Sequence, residues 1–301
     1  MDGPFHPGEL AAHALAGTGT PGATGIRPFM PDQHRDFFAL LPYLFIATTD
    51  AEGWPVATVL TGRPGFVQSP DPVTLTVAAQ PRAGEPGAEL FAAGRPFGAL
   101  GLDFATRRRN RVNGRITAAG EGGLTLHVLQ SFGNCPQYIQ TRAVEPGPAS
   151  PVPAQAIAFP TAQALAQIAR ADTMFVATNA GGDNGGVDIS HRGGLPGFVK
   201  VEGDVLTIPD FRGNRFFNTL GNLLVDPRAA LLFVDFETGD LLHLQGRVEI
   251  DWRPTGDDLI QRQWRLTVER AWRRPAALPL RWRFGAYSPV TLNTVAWNAA
   301  A

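Results

Sequence analysis

The sequence has almost no cysteine and almost no lysine. Its one cysteine, Cys135, excludes an internal disulfide and any metal site built from several cysteines, so no metal site is expected. Lys200 is its one lysine, so nearly every basic residue is an arginine, and an isolated arginine is weak evidence for function. Only arginines that cluster in a special backbone setting therefore count as candidates for binding.

Long apolar runs and an excess of charge are missing too. No apolar run approaches the roughly 20 residues that cross a bilayer, and the N-terminus lacks the apolar stretch of a secretory signal. The formal net charge of −1 gives no general attraction to nucleic acids or to anionic membranes. With 44% hydrophobic and 18% charged residues, the 301-residue chain is expected to be a globular, cytoplasmic protein. Its expected partners include neither nucleic acids nor membranes.

Five short segments of the sequence occur twice, in the same order and with similar spacing. The pairs are LFIAT (44–48) and MFVAT (174–178), PGFV (64–67 and 196–199), TLTV (74–77) and VLTI (205–208), ALGLDFAT (99–106) and LLFVDFET (231–238), and VNGRI (112–116) and LQGRV (244–248). This order predicts two copies of one unit. We place an N-terminal extension at 1–28, the first copy at 29–143, a proline-rich linker at 144–155 and the second copy at 156–301.

The matched segments are short, rich in β-branched and aromatic residues, and separated by glycine and proline. This pattern predicts about six strands per copy, arranged as a small closed antiparallel barrel. Helical patterns precede the first strand of each copy, at 32–41 and 161–170, and a third helix is expected to end near Val225, before Asp226-Pro227. The predicted fold class is mainly β with flanking helices.

The stretch IPDFRGNRFFNTLGN (208–222) places charge and hydrogen-bonding groups at a strand-to-helix turn. Two guanidinium groups can bind a phosphate dianion through charge-assisted hydrogen bonds. We expect the exposed amides of a helix N-terminus at 214–217 to add donors and a favourable dipole. The predicted phosphate ligands of this turn are Arg212, Asn214, Arg215 and Asn218.

The neighbouring strand DISHRGG (188–194) supplies further candidates. Because side chains alternate along a strand, Asp188, Ser190 and Arg192 should share one face. Asp188 is a candidate partner of Arg192 or of a turn amide. His191 should point to the opposite face, so we interpret it as a structural or surface residue.

Several longer stretches resemble one known family. VDISHRGGLPGFVKVEGDVLTIPDFRGNRFFNTLGNLLVDPRAALLF (187–233) and HLQGRVEI (243–250) resemble the pyridoxamine 5'-phosphate oxidase-like FMN-binding split-barrel family. In the first copy, RRRNRVNGRI (107–116) and QSFGNCPQYIQTR (130–142) are similar to members of the same superfamily. The resemblance implies two tandem split β-barrels, with FMN bound at the interface between them.

The resemblance also implies which side chains contact the cofactor. Ser190 and Arg192 resemble the flavin-contacting strand of that family, whereas the other second-copy positions would lie along the ring and ribityl chain. These other positions are Phe198, Val199, Pro209 and Asp210. The first copy would contribute Asn134, Gln137 and Tyr138.

The two copies differ in these binding residues. At an offset of 131, Arg212, Asn214, Arg215 and Asn218 align with Pro81, Ala83, Gly84 and Gly87. The polar cluster at 134–138 has no counterpart in RRPAALPLR (273–281). We therefore expect an intrachain pseudo-dimer with one competent site, in which the second copy holds the phosphate and the first covers the ring. Such chains could pair again into a homodimer.

FMN performs hydride and electron transfer itself, so a visible catalytic constellation is not required and no catalytic residue is predicted. The sequence is expected to encode an FMN-dependent oxidoreductase for an unknown small-molecule substrate, with NAD(P)H as a candidate electron donor. It lacks the R-x-H motif of true pyridoxamine 5'-phosphate oxidases near its C-terminus. The alternative is a non-enzymatic binding or sensor protein for flavin, haem or a deazaflavin.

Two further features allow more than one interpretation. Cys135 has no neighbouring histidine or second cysteine, which favours a packing role, although it could edge the flavin pocket. The arginine run at 107–109 is interpreted as an exposed hairpin tip, or as a site for the phosphates of a nicotinamide cofactor or substrate.

Overall fold

Antiparallel β-sheets dominate the computed structural model, which describes residues 3–19, 25–150, 152–182, 186–213, 215–294 and 297. The fold class, mainly β with flanking helices, is therefore confirmed. In the first half of the chain the elements are α1 Pro7–Leu15, α2 Asp32–Leu40, β1 Tyr43–Thr49, β2 Pro55–Thr61, β3 Val67–Asp71, β4 Thr74–Val77, a 3-10 turn Ala88–Leu90, β5 Pro96–Asp103, β6 Arg108–Gly120 and β7 Gly123–Gly133.

The remaining elements repeat this sequence of structures after a connection. They are β8 Arg142–Pro146, β9 Gln155–Ala156, α3 Ala162–Arg170, β10 Thr173–Asn179, β11 Val187–Gly193, β12 Lys200–Glu202, β13 Val205–Phe211, α4 Asn218–Val225, β14 Arg228–Val234, β15 Leu241–Asp251, β16 Ile260–Arg274, β17 Leu280–Phe284 and a 3-10 turn Thr291–Asn293. Among the described helices, none has the length and apolar character needed to cross a bilayer.

The two main sheets have the same strand order. The first runs β2-β1-β5-β6-β7-β4-β3 and the second β11-β10-β14-β15-β16-β13-β12, so that each label of the second exceeds its counterpart by nine. The ladders match in register as well: Phe45 pairs with Val59 and Leu100, and Phe175 pairs with His191 and Leu232. Among the described residues, each sheet thus follows a path of seven strands rather than about six, and the second sheet has β9 as an eighth strand beside that path. The short edge strands β3 and β12 carry too few apolar residues to show a clear pattern.

Equivalent residues of the two halves pack on each other at the centre of the molecule. The rings of Phe45 and Phe175, which occupy the same place in the repeat, stack with centroids 3.7 Å apart. Both belong to a buried apolar cluster that also contains Trp282 and joins the two halves, while each half has a further core of its own. Contact between identical positions is the arrangement found at a twofold axis.

The connection between the halves is partly built into the sheets. Strand β8, which overlaps the predicted linker, pairs with β17, and Val144 lies opposite Trp282. The short strand β9 pairs with β16. The linker is therefore held against the end of the second half by backbone hydrogen bonds.

The flanking helices follow from local sequence. The Thr161 side chain accepts a hydrogen bond from the amide of Ala164 (3.2 Å) and so caps α3, whose Ile168 is buried against the second core. In α2, Phe37 and Phe38 fill the first core. Both helices lie where the sequence predicts them.

Helix α4 differs from the prediction at its start. It begins at Asn218, not near residue 214, although it ends at Val225 as expected. The reason is backbone conformation: Arg215 and Phe217 both have a φ of 59°, a left-handed value that a right-handed helix cannot include. The amides at the helix start therefore belong to residues 218–220.

The N-terminal segment packs against this helix. In α1, Gly8 and Glu9 cross α4 so closely that a Cβ built on Gly8 would lie 2.2 Å from the carbonyl oxygen of Gly221. The His6 side chain accepts a hydrogen bond from the Gly8 amide (3.1 Å), and the Glu9 carboxylate accepts one from the His6 amide (2.9 Å). These bonds cap α1, and Glu9 also accepts a hydrogen bond from the Asn218 side chain at the start of α4.

Candidate functional site

A cleft between the two halves contains most of the predicted binding residues. It encloses about 980 Å³, including space that is open to solvent. The predicted residues that line it are Asn134, Gln137 and Tyr138 from the first half, and Ser190, Arg192, Phe198, Pro209, Asp210, Arg212, Arg215 and Asn218 from the second.

Two predicted residues are not among the lining. Val199 is fully buried in the core of the second half, whereas its neighbour Phe198 borders the cleft. Asn214 lies outside the described residues.

An aspartate clamps two arginines at one wall. Asp210 Oδ1 accepts a hydrogen bond from Arg192 Nη1 (2.7 Å), and Asp210 Oδ2 accepts one from Arg262 Nη1 (2.6 Å). Arg262 also lies over the ring of Phe217, 5.0 Å from its centroid. Asp210 therefore orients two cations, and the buried Nε atom of Arg192 has no hydrogen-bond partner among the described residues.

Arg111 crosses from the first half to the floor of the cleft. Its Nη2 donates to Ser190 Oγ (2.5 Å) and its Nη1 donates to Asn218 Oδ1 (3.3 Å), while Asp188 lies 3.9 Å away. Burial lowers the pKa of Arg111 to about 10, a shift that Asp188 opposes and Arg192 increases. The group remains cationic at neutral pH.

Arg109 extends the positive floor towards the first half. Its Nη1 donates to His191 Nδ1 (3.2 Å), and burial together with nearby Arg111 lowers the pKa of Arg109 to about 9. Burial and the surrounding arginines hold the pKa of His191 well below its usual value. Since a guanidinium can only donate, Nδ1 is the acceptor and the proton of neutral His191 is on Nε2. In the described part of the chain this buried nitrogen has no hydrogen-bond partner.

These contacts revise two interpretations made from the sequence. His191 is 4% exposed and borders the cleft, so it is not a surface residue. The arginine run is not a uniform exposed tip: Arg107 donates to the Ile139 carbonyl (2.8 Å), Arg108 to the Gln33 carbonyl (2.5 Å), and Arg109 enters the cleft. Because strand side chains alternate, Arg109 and Arg111 share one face of β6, a signal that the sequence already contained.

Tyr138 joins the halves at the rim. Its hydroxyl donates to the carbonyl of Arg212 (2.9 Å), and its ring stacks on Phe211 with centroids 5.2 Å apart. Burial raises the pKa of Tyr138 to about 12, so the hydroxyl keeps its proton. The backbone of Tyr138 also approaches Gly193, where a Cβ would lie 2.0 Å from the tyrosine carbonyl oxygen.

The start of α4 forms another part of the floor. The first amides of a helix have no partner within it and carry partial positive charge. Asn218, Thr219 and Leu220 occupy this first turn and line the cleft, and Thr219 Oγ1 lies 2.9 Å from Ser190 Oγ. Hydroxyl groups and helix amides thus meet beside Arg111.

A carboxyl group from the N-terminal extension lies behind this floor. Glu9 is 3% exposed, and its Oε1 accepts a 2.5 Å hydrogen bond from Asn218 Nδ2. Burial, helped by the charge of Asp188, raises the pKa of Glu9 to about 8. The group is therefore largely neutral at pH 7, and the extension becomes part of the site, with Thr18 on the lining.

The cleft as a whole is positively charged and incompletely satisfied. The lining arginines, Arg109, Arg111, Arg192, Arg212, Arg215 and Arg262, outnumber the carboxylates Asp210 and nearby Asp188. Several buried polar atoms find no hydrogen-bond partner within the residues that the structure describes, among them Nε of Arg109, Arg111 and Arg192, and Oδ1 of Asn134. Within the described part of the chain no group of three or more His, Cys, Asp or Glu side chains could hold a metal ion. The arrangement suits an anionic, polar organic ligand.

Comparison with known proteins gives no close relative. No protein-family profile and no curated protein matches the sequence. A Clostridium acetobutylicum protein related to general stress protein 26, of the pyridoxinephosphate oxidase family, is 17% identical over 41% of this chain and 92% of its own, with a TM-score of 0.30.

Two other solved structures align with similar coverage. A FAD-binding protein from Mesorhizobium loti is 12% identical over 41% of this chain and 99% of its own, with a TM-score of 0.28. HutZ, the heme storage protein from Vibrio cholerae, is 12% identical over 38% of this chain and 92% of its own, also with a TM-score of 0.28. Such TM-scores are too low to support an argument about the fold or the function of this chain.

Proposed function

We propose that the cleft binds FMN and that the chain is an FMN-dependent oxidoreductase acting on a small-molecule substrate. The observation that carries the proposal is the excess of arginines in a cleft where several buried guanidinium nitrogen atoms lack a hydrogen-bond partner among the described residues. A buried guanidinium nitrogen atom without a hydrogen-bond partner is costly, and a bound dianion that accepts from it would reduce that cost.

The phosphate end of the ligand belongs at the loop that leads into α4. Arg212 and Arg215 are exposed at the mouth and free to turn towards a phosphate. The α4 amides, Ser190 and Arg111 supply neutral and charged donors behind them. The donor set fits a phosphate, which needs several donors from different directions.

The ring end belongs with the residues of the first half. Tyr138 and Phe198 offer apolar surface, while Asn134 Oδ1 is a free acceptor and His191 Nε2 a free donor. The pyrimidine edge of a flavin carries both donors and acceptors, so such a mixed wall suits it. Gln137 borders the same region.

We propose that each of the two sheets forms a split barrel and that the two barrels make an intrachain pseudo-dimer. The equal strand order and the stacking of Phe45 on Phe175 support an approximate twofold relation. The cleft takes Arg109, Arg111 and Tyr138 from one half and Ser190, Arg212, Arg215 and Phe217 from the other. One chain would then hold one FMN.

FMN, when bound, supplies hydride and electron transfer through its ring. The protein would orient the ring and set its electrostatics: Arg109 and Arg192 give the cleft a positive potential that stabilises negative charge on the ligand. NAD(P)H is the candidate donor. Arg109 is the member of the arginine run that could reach an anionic donor or substrate at the cleft.

A titration followed by reduction tests the proposal. We expect FMN to bind at one molecule per chain, with a shift of its visible absorbance, and NADH or NADPH to bleach that absorbance in a stopped-flow trace. Binding without reduction by any donor would replace the oxidoreductase with a flavin-binding protein. Failure of FMN to bind would overturn the proposal.

A further inference from the structure

The approximate twofold relation predicts a second cleft, built from the opposite parts of the two halves. The ladders identify its residues. Val176 faces Ser190 in β10–β11, and the equivalent pair in β1–β2 is Ile46 and Thr58. Thr58 therefore occupies in the second cleft the position that Ser190 occupies in the first.

The other wall of the second cleft follows in the same way. Leu232 pairs with His243 as Leu100 pairs with Arg111, so His243 replaces Arg111. Leu241 pairs with Arg274. Because His243 is equivalent to Arg111, Leu241 is equivalent to Arg109. The backbone amide of Asn134 donates a 3.3 Å hydrogen bond to the Arg109 carbonyl. Arg274 therefore stands where Asn134 stands in the first cleft.

A carboxylate of the chain itself lies between these two positions. Glu85, in the loop after β4, accepts a hydrogen bond from Thr58 Oγ1 at Oε2 (2.6 Å) and one from Arg274 Nη1 at Oε1. The three residues are almost completely buried: Thr58 and Arg274 are each 1% exposed and Glu85 is 7% exposed. One carboxylate thus neutralises one guanidinium that comes from the other half of the chain.

The second cleft is otherwise adapted to a single negative charge. At the position of Arg192 it has Leu60, because Phe45 and Phe175 are equivalent and the strands keep the same register. His243, at the position of Arg111, has its pKa lowered to about 4 by burial and is neutral, and its Nδ1 lies 3.1 Å from the Ala57 carbonyl oxygen. Arg274 is therefore the cation that requires an anion there.

We infer that Glu85 is an internal ligand: its carboxylate fills a second oxyanion site, equivalent to the proposed ligand cleft, which would accept a small external carboxylate if Glu85 were removed. The inference explains how a chain with two similar halves keeps one cleft open and the other closed. It does not depend on FMN being the ligand of the open cleft.

Chemical rescue tests this inference. Glu85→Ala removes the equivalent of one acetate and leaves Arg274 buried without its partner, so the Tm should fall by about 5–10 °C. Acetate, titrated against chloride at constant ionic strength, should restore at least half of that loss and should saturate. The matched control is Glu89→Ala, an exposed glutamate four residues along the chain, which together with the parent protein should show no acetate response.

Two outcomes would overturn the inference. One is an acetate response of Glu85→Ala no larger than that of the control. The other is a response that persists in Glu85→Ala/Arg274→Met, where the cation is gone. If Glu85→Ala does not fold in chloride, the yield of refolding from denaturant replaces Tm: acetate should raise it, and an unchanged yield counts against the internal ligand.

Discussion

Replacing Glu9 by glutamine should change how stability depends on pH. The pKa of Glu9 rises from 4.5 to about 8 because the carboxyl is buried and lies near Asp188. The folded protein therefore keeps a proton that the unfolded chain releases at lower pH. The contribution of Glu9 to the free energy of unfolding is fully present below pH 4.5 and is lost as the pH rises towards 8.

The size of the effect follows from the shift. One pKa unit corresponds to about 1.4 kcal/mol, so the wild-type protein should lose up to about 5 kcal/mol of unfolding free energy from this group across the window. Glutamine cannot ionise and loses this slope. It also cannot accept both the Asn218 and the His6 hydrogen bonds, so we expect a pH-independent cost of about 1 kcal/mol.

Urea denaturation of both proteins at several values between about pH 4 and pH 8 measures the difference. The variant should be the less stable protein at the acidic end and the more stable one at the basic end. His6, Arg111 and Asp188 also face Glu9; the burial-lowered pKa of His6 gives an opposite slope that both proteins share. Parallel curves would refute the buried, protonated state of Glu9.

Three other substitutions test contacts between the halves, each by urea denaturation. Gly193→Ala should destabilise the protein by about 1–3 kcal/mol, because its Cβ would lie 2.0 Å from the Tyr138 carbonyl oxygen. The control Gly120→Ala, with open space around the residue, should leave the free energy of unfolding unchanged, and equal effects of the two substitutions would exclude the close approach. Tyr138→Phe should cost about 1 kcal/mol by removing the hydrogen bond to the Arg212 carbonyl, and an unchanged free energy would deny that bond. Asp172→Asn should cost about 3–5 kcal/mol, since Arg142 Nη2 lies 2.6 Å from both oxygens of this buried carboxylate, and a loss below 1 kcal/mol would contradict the pair.

The repeat explains why so much of the fold could be predicted. Matching segments at nearly constant spacing require matching strands, and the structure gives both sheets the same order. Helices α2 and α3 were predictable because apolar residues recur at helical spacing and cluster in the cores. The start of α4 was not, because Arg215 and Phe217 belong to residue types that rarely adopt a left-handed φ, so the sequence gives no sign of it there.

The residues that the second half contributes to the cleft were largely predictable, as were Asn134, Gln137 and Tyr138 of the first half. Arg212 and Arg215 stand in one conspicuous turn, so local sequence indicated them. Arg111 depends on which face of β6 turns towards the other half, which is a property of the assembly of the sheets. Glu9 is more distant still: nothing local shows that α1 will cross α4 at Gly221.

The two arginines at the cleft mouth also allow a comparison of ligands. FMN and riboflavin differ only by the phosphate, so the ratio of their Kd values isolates the phosphate contribution. Arg212→Ala/Arg215→Ala removes two exposed arginines of the cleft, and Arg63→Ala/Arg82→Ala removes two exposed arginines of the first half, with the same change in charge.

Titration of the parent and both double variants with the two flavins tests the central claim, that the cleft binds FMN through its phosphate. The parent and the Arg63/Arg82 control should bind FMN at least about 100-fold more tightly than riboflavin. The Arg212/Arg215 variant should lose most of this preference while its riboflavin Kd stays unchanged. A parent that binds the two flavins equally, or an Arg212/Arg215 variant with an undiminished preference for FMN, would contradict the claim.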